Sequence, residues 1–428
     1  MSILKNEPIY PFKKDDYTKP RHIVVEGTSE EIGYDLANLA RNEFDCKLGL
    51  YDNPVYGQAR KKYMETNWPQ MAERSKGVLR AFGLPETDVT HDPTALPFDW
   101  YDAGRGRDLG ANTCSAAVLP IEKSENSGVF TSRNFDLMAM VLWSELFGQK
   151  APEGANKAWS RGVVIEARPD TGHQTIMVGG QELLYPYIDA INDKGLYISL
   201  FHDPWGVGDE AGAASGEAMS GVSMVQLVGM LLETCATVEE AKLKILNNRI
   251  MHMVMCAHMI IADATGNATI YEIDKHSQMY VFTDREANEP LFITNHPASK
   301  FPNPSTYPEF NEEAEHNTFQ RQIIFRDAYA KLNPPFTISD AVAMTDAVHC
   351  SFADDEKAEA GPLERTLINS TCDLSKPEIS VRWYLGDVGP IEDTNHMEDR
   401  ISDYYTFGFG GKIERQKNAN LAPEKLVI

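Results

Sequence analysis

The chain has 428 residues, of which 42% are hydrophobic and 10% aromatic, so it can bury a large core in one big domain or two ordinary ones. Its 63 acidic residues against 40 basic ones give a formal charge of −23, which would repel a phosphate backbone and excludes nucleic acid as a partner. No apolar run approaches the roughly 20 residues that a membrane span needs, and the amino terminus lacks the apolar centre of a signal peptide. We therefore expect a cytoplasmic, enzyme-sized protein without a membrane partner.

The first part of the chain is predicted to be mostly helical after one short strand, HIVV. Thr28 and Glu31 stand at capping-box spacing and open a first amphipathic helix. A further amphipathic helix follows Pro69 and ends at Gly83. Residues 93–111 are rich in Pro, Gly and Asp, and this composition predicts an exposed loop.

From Cys114 onward the pattern changes to short strands separated by turn residues. Ser223 and Thr237 then open a pair of predicted helices, after which the strands resume. Strands, a helix pair and further strands predict an α+β fold of two antiparallel sheets that pack together and are covered by helices. The polar end of the chain, from Lys412 to Ile428, is predicted to form an arm or a frayed tail.

Six cysteines are spread along the chain without a CxxC pair, which argues against both a zinc ribbon and a disulfide framework. They are Cys46, Cys114, Cys235, Cys256, Cys350 and Cys372. His252 and His258 lie on one predicted strand, but no third ligand stands at a metal-like spacing, so we assign them a core or hydrogen-bonding role. The sequence thus predicts no metal and no cofactor.

Cys114 differs from the other cysteines in its surroundings. A polar, glycine-rich stretch (GRGRDLGANT) precedes it and an apolar strand follows. A cut between Thr113 and Cys114 would leave the thiol and a new α-amine on one residue, and an α-amine has a pKa of about 7.7 to 8.0. That residue would then carry both the nucleophile and the base of an amide-cleaving reaction.

Three polar residues downstream match the other needs of amide cleavage. Arg133 would stabilise a thiolate or bind a substrate carboxylate, and its ordinary alternative is a surface or edge-strand arginine. Asp136 follows three residues later, a spacing that cannot put both side chains on one face of a regular strand, so we predict a turn or bulge after Asn134. Asn295 ends the strand LFIT, where its carboxamide can be held rigidly. By themselves, Asp136 and Asn295 are more often a turn cap and a strand end.

A resemblance to the isopenicillin N acyltransferase family is carried by Cys114 and by two segments upstream of it, VVEGTSEEIGYDLANLARNEF and ETNWPQMAERSKGVLRAFG. The related choloylglycine hydrolases and penicillin V acylases are resembled by YPYIDAINDKGLYISLFHDP, HMIIADATGNATIYEI and ITNHP. The matches run in order from Val24 to Asp387. The resemblance implies an N-terminal-nucleophile (Ntn) hydrolase with a four-layer αββα core. Residues 1–113 would then be a propeptide or small subunit and residues 114–428 the catalytic segment, together forming one compact domain.

The same resemblance implies roles for single residues. Asp136 would orient the terminal amine, and Asn295 would donate to the oxyanion. His202 stands where the choloylglycine hydrolases have an asparagine of the oxyanion site, which implies a rebuilt site here. Arg365, in GPLERTLINS, matches a family arginine loosely. Thr113 replaces the glycine that precedes the acyltransferase cysteine, and a β-branched residue there predicts slow or failed self-cleavage.

We therefore expect a hydrolase that cleaves itself before Cys114 and then cleaves the linear amide bond of a small N-acyl substrate, or transfers its acyl group, through an acyl-thioester. One alternative keeps the chain whole and uses His202 as the base of an ordinary thiol nucleophile. Another is a non-catalytic relative that binds an acylated metabolite. Because related hydrolases often form symmetric oligomers, the resemblance also allows a homo-oligomer.

Overall fold

The computed structural model describes residues 2–98, 113–139, 141, 153–203, 220–251, 257–274, 277–308, 318–352, 364–394 and 396–418. Seven α-helices lie within these ranges. They are α1 (Ser29–Glu43), α2 (Pro54–Asn67), α3 (Pro69–Ala81), α4 (Met224–Thr234), α5 (Val238–Leu246), α6 (Thr318–Tyr329) and α7 (Ile338–Asp346). In the described part of the chain, no helix combines the length and apolar character needed to cross a membrane.

Strands make up most of the other regular structure of the described residues. They are β1 (Ile3–Pro8), β2 (Arg21–Gly27), β3 (Gly49–Leu50), β4 (His91–Asp92), β5 (Thr113–Val118), β6 (Phe130–Met138), β7 (Val163–Pro169), β8 (Thr175–Gly179), β9 (Tyr187–Asn192), β10 (Tyr197–His202), β11 (Val222–Ser223), β12 (Ile250–Met251), β13 (Ala257–Ala262), β14 (Ala268–Ile273), β15 (Tyr280–Asp284), β16 (Leu291–Ile293), β17 (Glu364–Asp373), β18 (Glu378–Pro390), β19 (Met397–Ile401), β20 (Tyr404–Gly408) and β21 (Lys412–Gln416). The pairs β3–β4 and β11–β12 form two small ribbons, and the other strands form two large sheets.

The first large sheet has nine strands in the order β1-β2-β7-β8-β9-β10-β13-β14-β15. Its neighbouring strands pair antiparallel except for β2 and β7, which run parallel. The second sheet has eight strands in the order β16-β5-β6-β17-β18-β20-β21, with β19 paired to β18, and all of its pairs are antiparallel. β5 therefore lies inside this sheet, between β16 and β6.

The two sheets face each other across a shared hydrophobic core, and helices cover the outer face of each. Ile32 and Leu36 of α1 pack on the outer face of the first sheet. Alternate strand residues, such as Val164 of β7, fill the space between the sheets. Phe325 of α6 and Met344 of α7 cover the outer face of the second sheet. The predicted α+β class and its αββα layering are therefore confirmed.

Capping residues correctly predicted where two helices begin. The Thr28 hydroxyl accepts a hydrogen bond from the Glu31 backbone N–H at 3.2 Å, and the Glu31 carboxylate accepts from the Thr28 N–H at 3.0 Å. Ser223 and Gln226 form the same reciprocal pair at the start of α4. Each pair satisfies backbone N–H groups that have no partner inside the first helical turn, which stabilises the helix by about 1 kcal/mol.

The structure differs from the sequence prediction near both ends of the chain. β1, which the sequence pattern did not reveal, pairs with β2. Residues 412–416 were predicted to belong to an arm or frayed tail, but they form β21 and pair with β20. This segment contains one apolar residue, Ile413, so pairing at the sheet edge decides its structure rather than its own pattern. Residues 99–111 of the predicted loop, together with His252 and Cys256, lie outside the described residues.

The residues before Cys114 are built into the fold of the residues after it. β2 is an internal strand of the first sheet and pairs with β7. Arg74 of α3 forms a buried ion pair with Glu233 of α4 at 2.7 Å, and Trp68 Nε1 donates to the same carboxylate at 3.0 Å. A cut before Cys114 would therefore leave two fragments that share a sheet and a buried ion pair.

Arg74→Met is predicted to lower the free energy of unfolding by about 3 to 5 kcal/mol, because it leaves the Glu233 carboxylate buried without its counter-ion. Arg80→Met on the same helix removes an exposed ion pair with Glu30 and should cost less than about 1 kcal/mol. Urea unfolding of both variants measures the difference, in a Cys114→Ala background so that the predicted self-cleavage cannot divide the chain. Equal losses in the two variants would show that the buried pair does not hold the segments together.

Candidate active site

β5 presents Cys114 to the interior of the protein. Because successive side chains of a strand point to opposite faces, Cys114 and Ala116 face the core between the sheets, while Ala117 faces the helices of the outer layer. The Cys114 side chain is only 2% exposed. The predicted nucleophile is thus held inside a sheet, with a paired strand on each side.

Arg133 of β6 lies against the Cys114 thiol. Its Nη2 atom donates to Sγ at 3.1 Å and to the carbonyl oxygen of Leu200 at 3.1 Å. Its Nη1 atom lies 3.5 Å from a carboxylate oxygen of Asp189, and its guanidinium packs against the ring of Phe201. The structure therefore brings together the thiol and the arginine that the sequence suggested, and it adds Asp189.

The Cys114 thiol is neutral in the intact chain near neutral pH. Burial raises its pKa to about 11, although the charge of Arg133 acts in the opposite direction. Burial prevails because the thiolate would lose its hydration, while the carboxylates of Asp136 and Asp189 further disfavour a second negative charge. Since the thiolate is the reactive form, this site needs a base close to the sulfur.

Asn295, which follows β16, holds the backbone nitrogen of Cys114. Its Oδ1 atom accepts from the Cys114 N–H at 2.9 Å and from the guanidinium of Arg321 at 2.7 Å. Its Nδ2 atom donates to the carbonyl oxygen of His202 at 2.7 Å, and its backbone N–H donates to the Thr318 hydroxyl at 2.8 Å. The carboxamide oxygen, rather than the amide hydrogens, therefore faces the Cys114 nitrogen in the intact chain.

A buried histidine and glutamate support the loop that carries Asn295. His258 Nε2 lies 2.8 Å from the carbonyl oxygen of Thr294, and Glu272 accepts from two backbone N–H groups just beyond Asn295, at 2.6 and 3.0 Å. Burial would lower the pKa of His258, but its hydrogen bond with Glu272 and nearby acidic charges raise it instead. His258 thus has the hydrogen-bonding role that the sequence predicted.

A second polar group lies on the opposite face of β5 and β6. The Thr113 hydroxyl is 3.3 Å from Asp136 Oδ2 and 2.7 Å from Glu364 Oε1. The Thr366 hydroxyl donates to Asp136 Oδ1 at 2.5 Å. Burial raises the pKa of both carboxyl groups, that of Glu364 to about 7. Two carboxyl groups therefore flank the side chain of Thr113, the residue that precedes Cys114.

The spacing of Arg133 and Asp136 has a different consequence from the one predicted. The prediction of a turn or bulge after Asn134 is wrong, because β6 is a single unbroken strand and the bulge in this region lies on the neighbouring β17. Residues three apart on a regular strand face opposite sides of the sheet. Arg133 therefore reaches the thiol from one face, and Asp136 reaches Thr113 on the other.

Arg365, a predicted catalytic residue, is bonded elsewhere. Its guanidinium makes a two-pronged ion pair with Asp387 at 2.8 and 2.9 Å and also donates to the carbonyl oxygen of Phe352. These contacts hold it along β17 and β18 and give no support to a role at the thiol.

His202 joins the site through its backbone rather than its ring. Its carbonyl oxygen accepts from Asn295, as described above. Strand alternation puts the His202 side chain on the face of β10 that carries Leu200, which packs with the outer helices. Phe201, on the other face, is the residue that contacts Arg133. This placement does not support the alternative in which His202 is the base.

Sequence reasoning missed Asp189, Arg321 and Glu364. Arg321 of α6 donates to the Cys114 carbonyl oxygen, to Ser115 Oγ at 2.7 Å and to Asn295. Asp189 and Glu364 lie within segments that had been singled out, YPYIDAINDKG and GPLERTLINS, but nothing local distinguishes them from surface acids. Arg321 has no comparable signal, since a basic residue on a helix is ordinarily solvated.

An αββα sandwich whose internal strand carries a cysteine, with that residue's own backbone nitrogen held at the site, is the arrangement of an Ntn hydrolase. The model of the family described as acyl-coenzyme A:6-aminopenicillanic acid acyl-transferase matches residues 123–359. This is more than half of the chain, and the chain belongs to that family. The matched region contains Arg133, Asp136 and Asn295 and begins after Cys114. No curated protein matches the sequence.

Three solved structures are similar to the chain at low sequence identity. A mutant of conjugated bile acid hydrolase from Clostridium perfringens is 15% identical, with 71% of this chain and 96% of that chain covered and a TM-score of 0.45. Penicillin V acylase from Agrobacterium tumefaciens is 13% identical, with 71% and 98% covered and a TM-score of 0.38. The N-acylethanolamine-hydrolyzing acid amidase ortholog of Caenorhabditis elegans is 11% identical, with 62% and 94% covered and a TM-score of 0.41. The fold assignment rests on the two packed sheets and the family match, because these three TM-scores are below 0.5.

Arg133→Met is predicted to raise the pKa of the Cys114 thiol further, because it removes a positive charge that lowers this pKa against the effect of burial. Each unit of increase lowers the thiolate fraction about tenfold at a given pH. Alkylation of Cys114 by iodoacetamide over a pH series, read by peptide mapping, measures the shift. Arg382→Met is the control, since Arg382 is buried in the same sheet but pairs with Asp346. Identical alkylation profiles for the two variants would show that Arg133 does not act on the thiol.

Proposed function

We propose that the chain cuts itself before Cys114 and then uses Cys114 to cleave the linear amide bond of a small N-acyl substrate. The observation that carries the proposal is the double support of Cys114: Arg133 lies 3.1 Å from its sulfur, and Asn295 lies 2.9 Å from its nitrogen. Sulfur and nitrogen of one residue, each held by a polar partner, suit a nucleophile and base on the same residue. Membership of an acyl-transferase family supports an acyl-thioester as the intermediate.

After the cut, the α-amine of Cys114 acts as the base. Its reference pKa of about 7.7 to 8.0 suits proton transfer near neutral pH, whereas the thiol, with a pKa of about 11 in the intact chain, does not ionise by itself. The amine takes the thiol proton, the sulfur attacks the substrate carbonyl, and the amine passes the proton to the departing nitrogen. The closeness of Asp136 to Thr113 supports a role for this carboxylate in orienting the new amine.

Asn295 is assigned to the oxyanion. Its NH2 group has two hydrogens, of which one bonds to the His202 carbonyl oxygen and the second is proposed to bond to the oxyanion. The hydrogen bonds from Arg321 and to Thr318 support this role, because they hold the carboxamide in one orientation before charge develops. Loss of one such donor typically lowers kcat about 10²- to 10³-fold.

Water or a second amine then releases the acyl group. Hydrolysis makes the protein an amidase, and the description of its family supports acyl transfer as a second outcome of the same thioester. The partner is a small-molecule N-acyl amide, and a homo-oligomer stays a prediction. A cytoplasmic location also stays a prediction.

Denaturing mass spectrometry of the purified protein is predicted to show two chains, Met1–Thr113 and Cys114–Ile428. Cys114→Ala removes the attacking sulfur and should leave one chain. Cys372→Ala removes another buried thiol of the core between the sheets and should not change the cleavage. An intact wild-type chain that hydrolyses N-acyl amides at full rate would refute the mechanism.

His202→Gln separates this proposal from an uncleaved thiol hydrolase. We expect both self-cleavage and amide turnover to stay within a few fold of wild type, because strand alternation turns the imidazole away from the thiol. Acid quench of the reaction with a panel of N-acyl amino acids, followed by mass spectrometry of the Cys114 peptide, measures thiol acylation. Loss of acylation without any effect on self-cleavage would favour His202 as the base.

A further inference from the structure

Glu364, at the start of β17, contacts the residue that precedes the scissile bond. Its Oε1 atom accepts a hydrogen bond from the Thr113 hydroxyl at 2.7 Å, and the Thr113 backbone N–H also bonds to this carboxyl group. No step of the amide-cleaving mechanism uses Glu364. Its contacts are with the segment that ends at the cut.

The Thr113 hydroxyl lies between two carboxyl groups, at 2.7 Å from Glu364 and 3.3 Å from Asp136. A hydroxyl has one hydrogen to donate, so it can satisfy only one of the two carboxyl groups when both are ionised. Thr366 donates to Asp136 at 2.5 Å, which favours the ionised form of Asp136. Protonation of Glu364 would reverse its hydrogen bond with Thr113, so that the carboxyl group donates to the hydroxyl oxygen.

The surroundings of Glu364 favour its protonated form. Burial, followed by the charge of Asp136, raises the pKa of Glu364 to about 7, against the smaller opposing effects of Thr113 and Arg321. The titratable and charged groups that interact with the carboxyl pair are Cys114 on β5, Arg133 on β6, Arg321 on α6, and His349 and Cys350 after α7. Glu364 is thus half protonated near neutral pH, where an acid can both give up and regain its proton.

We propose that Glu364 is the proton donor of the self-cleavage step, acting through the Thr113 hydroxyl, and that it serves this step alone. The proposal rests on the self-cleavage proposed above. In the small fraction of chains in which the Cys114 thiol has given its proton to water, Sγ bonds to the Thr113 carbonyl carbon. The bond from that carbon to the Cys114 nitrogen breaks, and the nitrogen takes the proton that Glu364 releases. Water then hydrolyses the thioester, which frees the thiol and leaves a Thr113 carboxylate, and a solvent proton restores Glu364.

The thiol and Glu364 act from opposite faces of β5. Cys114 points into the core between the sheets beside Arg133, whereas the Thr113 side chain and Glu364 lie on the face that α6 covers. This separation excludes Glu364 as the base that takes the thiol proton. Self-cleavage with Glu364 as that base would have the same pH dependence as self-cleavage with Glu364 as the proton donor. Once the bond is cut, the residue that Glu364 contacts is no longer a reactant, so amide turnover does not require it.

This role predicts the shape of the pH profile of self-cleavage. The thiolate fraction of Cys114 rises about tenfold per pH unit below its pKa of about 11, and the protonated fraction of Glu364 falls about tenfold per unit above its pKa of about 7. The product of the two fractions rises with pH up to about 7 and is level above it. A chain without the Glu364 proton should be cut more slowly, and its rate should continue to rise above about pH 7.

Glu364→Gln tests the proposal, because glutamine keeps a hydrogen bond to Thr113 but has no proton to transfer. Radiolabelled chain from cell-free synthesis is moved to buffers of about pH 6 to 9, and cleavage is followed by gel electrophoresis. We expect the variant to be cut at least about tenfold more slowly than wild type near pH 6, with a smaller deficit at higher pH. Glu378→Gln, the same change on the neighbouring β18 where Glu378 pairs with Lys412, should behave as wild type. Amide turnover per cleaved Cys114 should stay within about twofold in both variants.

Thr113→Val removes the relaying hydroxyl at nearly constant volume. It should give the same profile as Glu364→Gln, and the double variant should be no slower than either single one. If thermal unfolding shows that Glu364→Gln does not fold, Thr113→Val still tests whether the proton passes through the Thr113 hydroxyl. Wild-type cleavage rates in the folded single variants, with Cys114→Ala uncut, would overturn the role of Glu364 and leave the proposed function intact. A Cys114→Ala chain that is still cut, or a wild-type chain that is never cut, would overturn both.

Discussion

The alternation of side chains along β5 is the constraint on which the arrangement of the site depends. Thr113 and Cys114 are consecutive, yet one side chain faces α6 and the other faces the core between the sheets. The strand thereby keeps the thiol and its arginine apart from the carboxyl pair, although both groups adjoin the same peptide bond. Attack and protonation can then come from different sides of that bond without competing for space.

Burial acts on both sides of the strand, with a different result on each. It disfavours the charged form of Cys114, whose pKa rises to about 11, and that of Glu364, whose pKa rises to about 7. The same physical cause therefore keeps the Cys114 thiol neutral near pH 7 and keeps the Glu364 carboxyl group near the midpoint of its titration. The charge of Arg133 lowers the pKa of Cys114, and the charge of Arg321 lowers that of Glu364. In both cases the effect of burial is larger, so the pKa is raised. In the proposed mechanism, the α-amine of Cys114 that forms when the chain is cut supplies the base that such a neutral thiol needs.

How far the sequence predicted the fold and the site depends on how local each signal is. Thr28 and Glu31 marked a helix start because the capping bonds join residues within one turn. β21 was missed because its residues carry almost no apolar pattern and are ordered by a neighbouring strand. For Arg133 and Asp136 the predicted geometry was wrong, because the three-residue spacing was taken to require a bulge. β6 is instead unbroken, and the two side chains lie on opposite faces of the sheet.

By itself the sequence determined the α+β class, the αββα layering implied by its family resemblance, and the identity of Cys114 and Arg133 as neighbours on consecutive strands. The class and the strand positions follow from periodicities that a short stretch of chain contains, and the layering follows from the motifs that carry the resemblance. Only the tertiary structure decided that Arg321 and Glu364 join the site, because they lie 207 and 251 positions from the residues they contact. The tertiary structure also decided that Arg365 pairs with Asp387. Strand pairing and helix packing set those distances, and no local pattern encodes them.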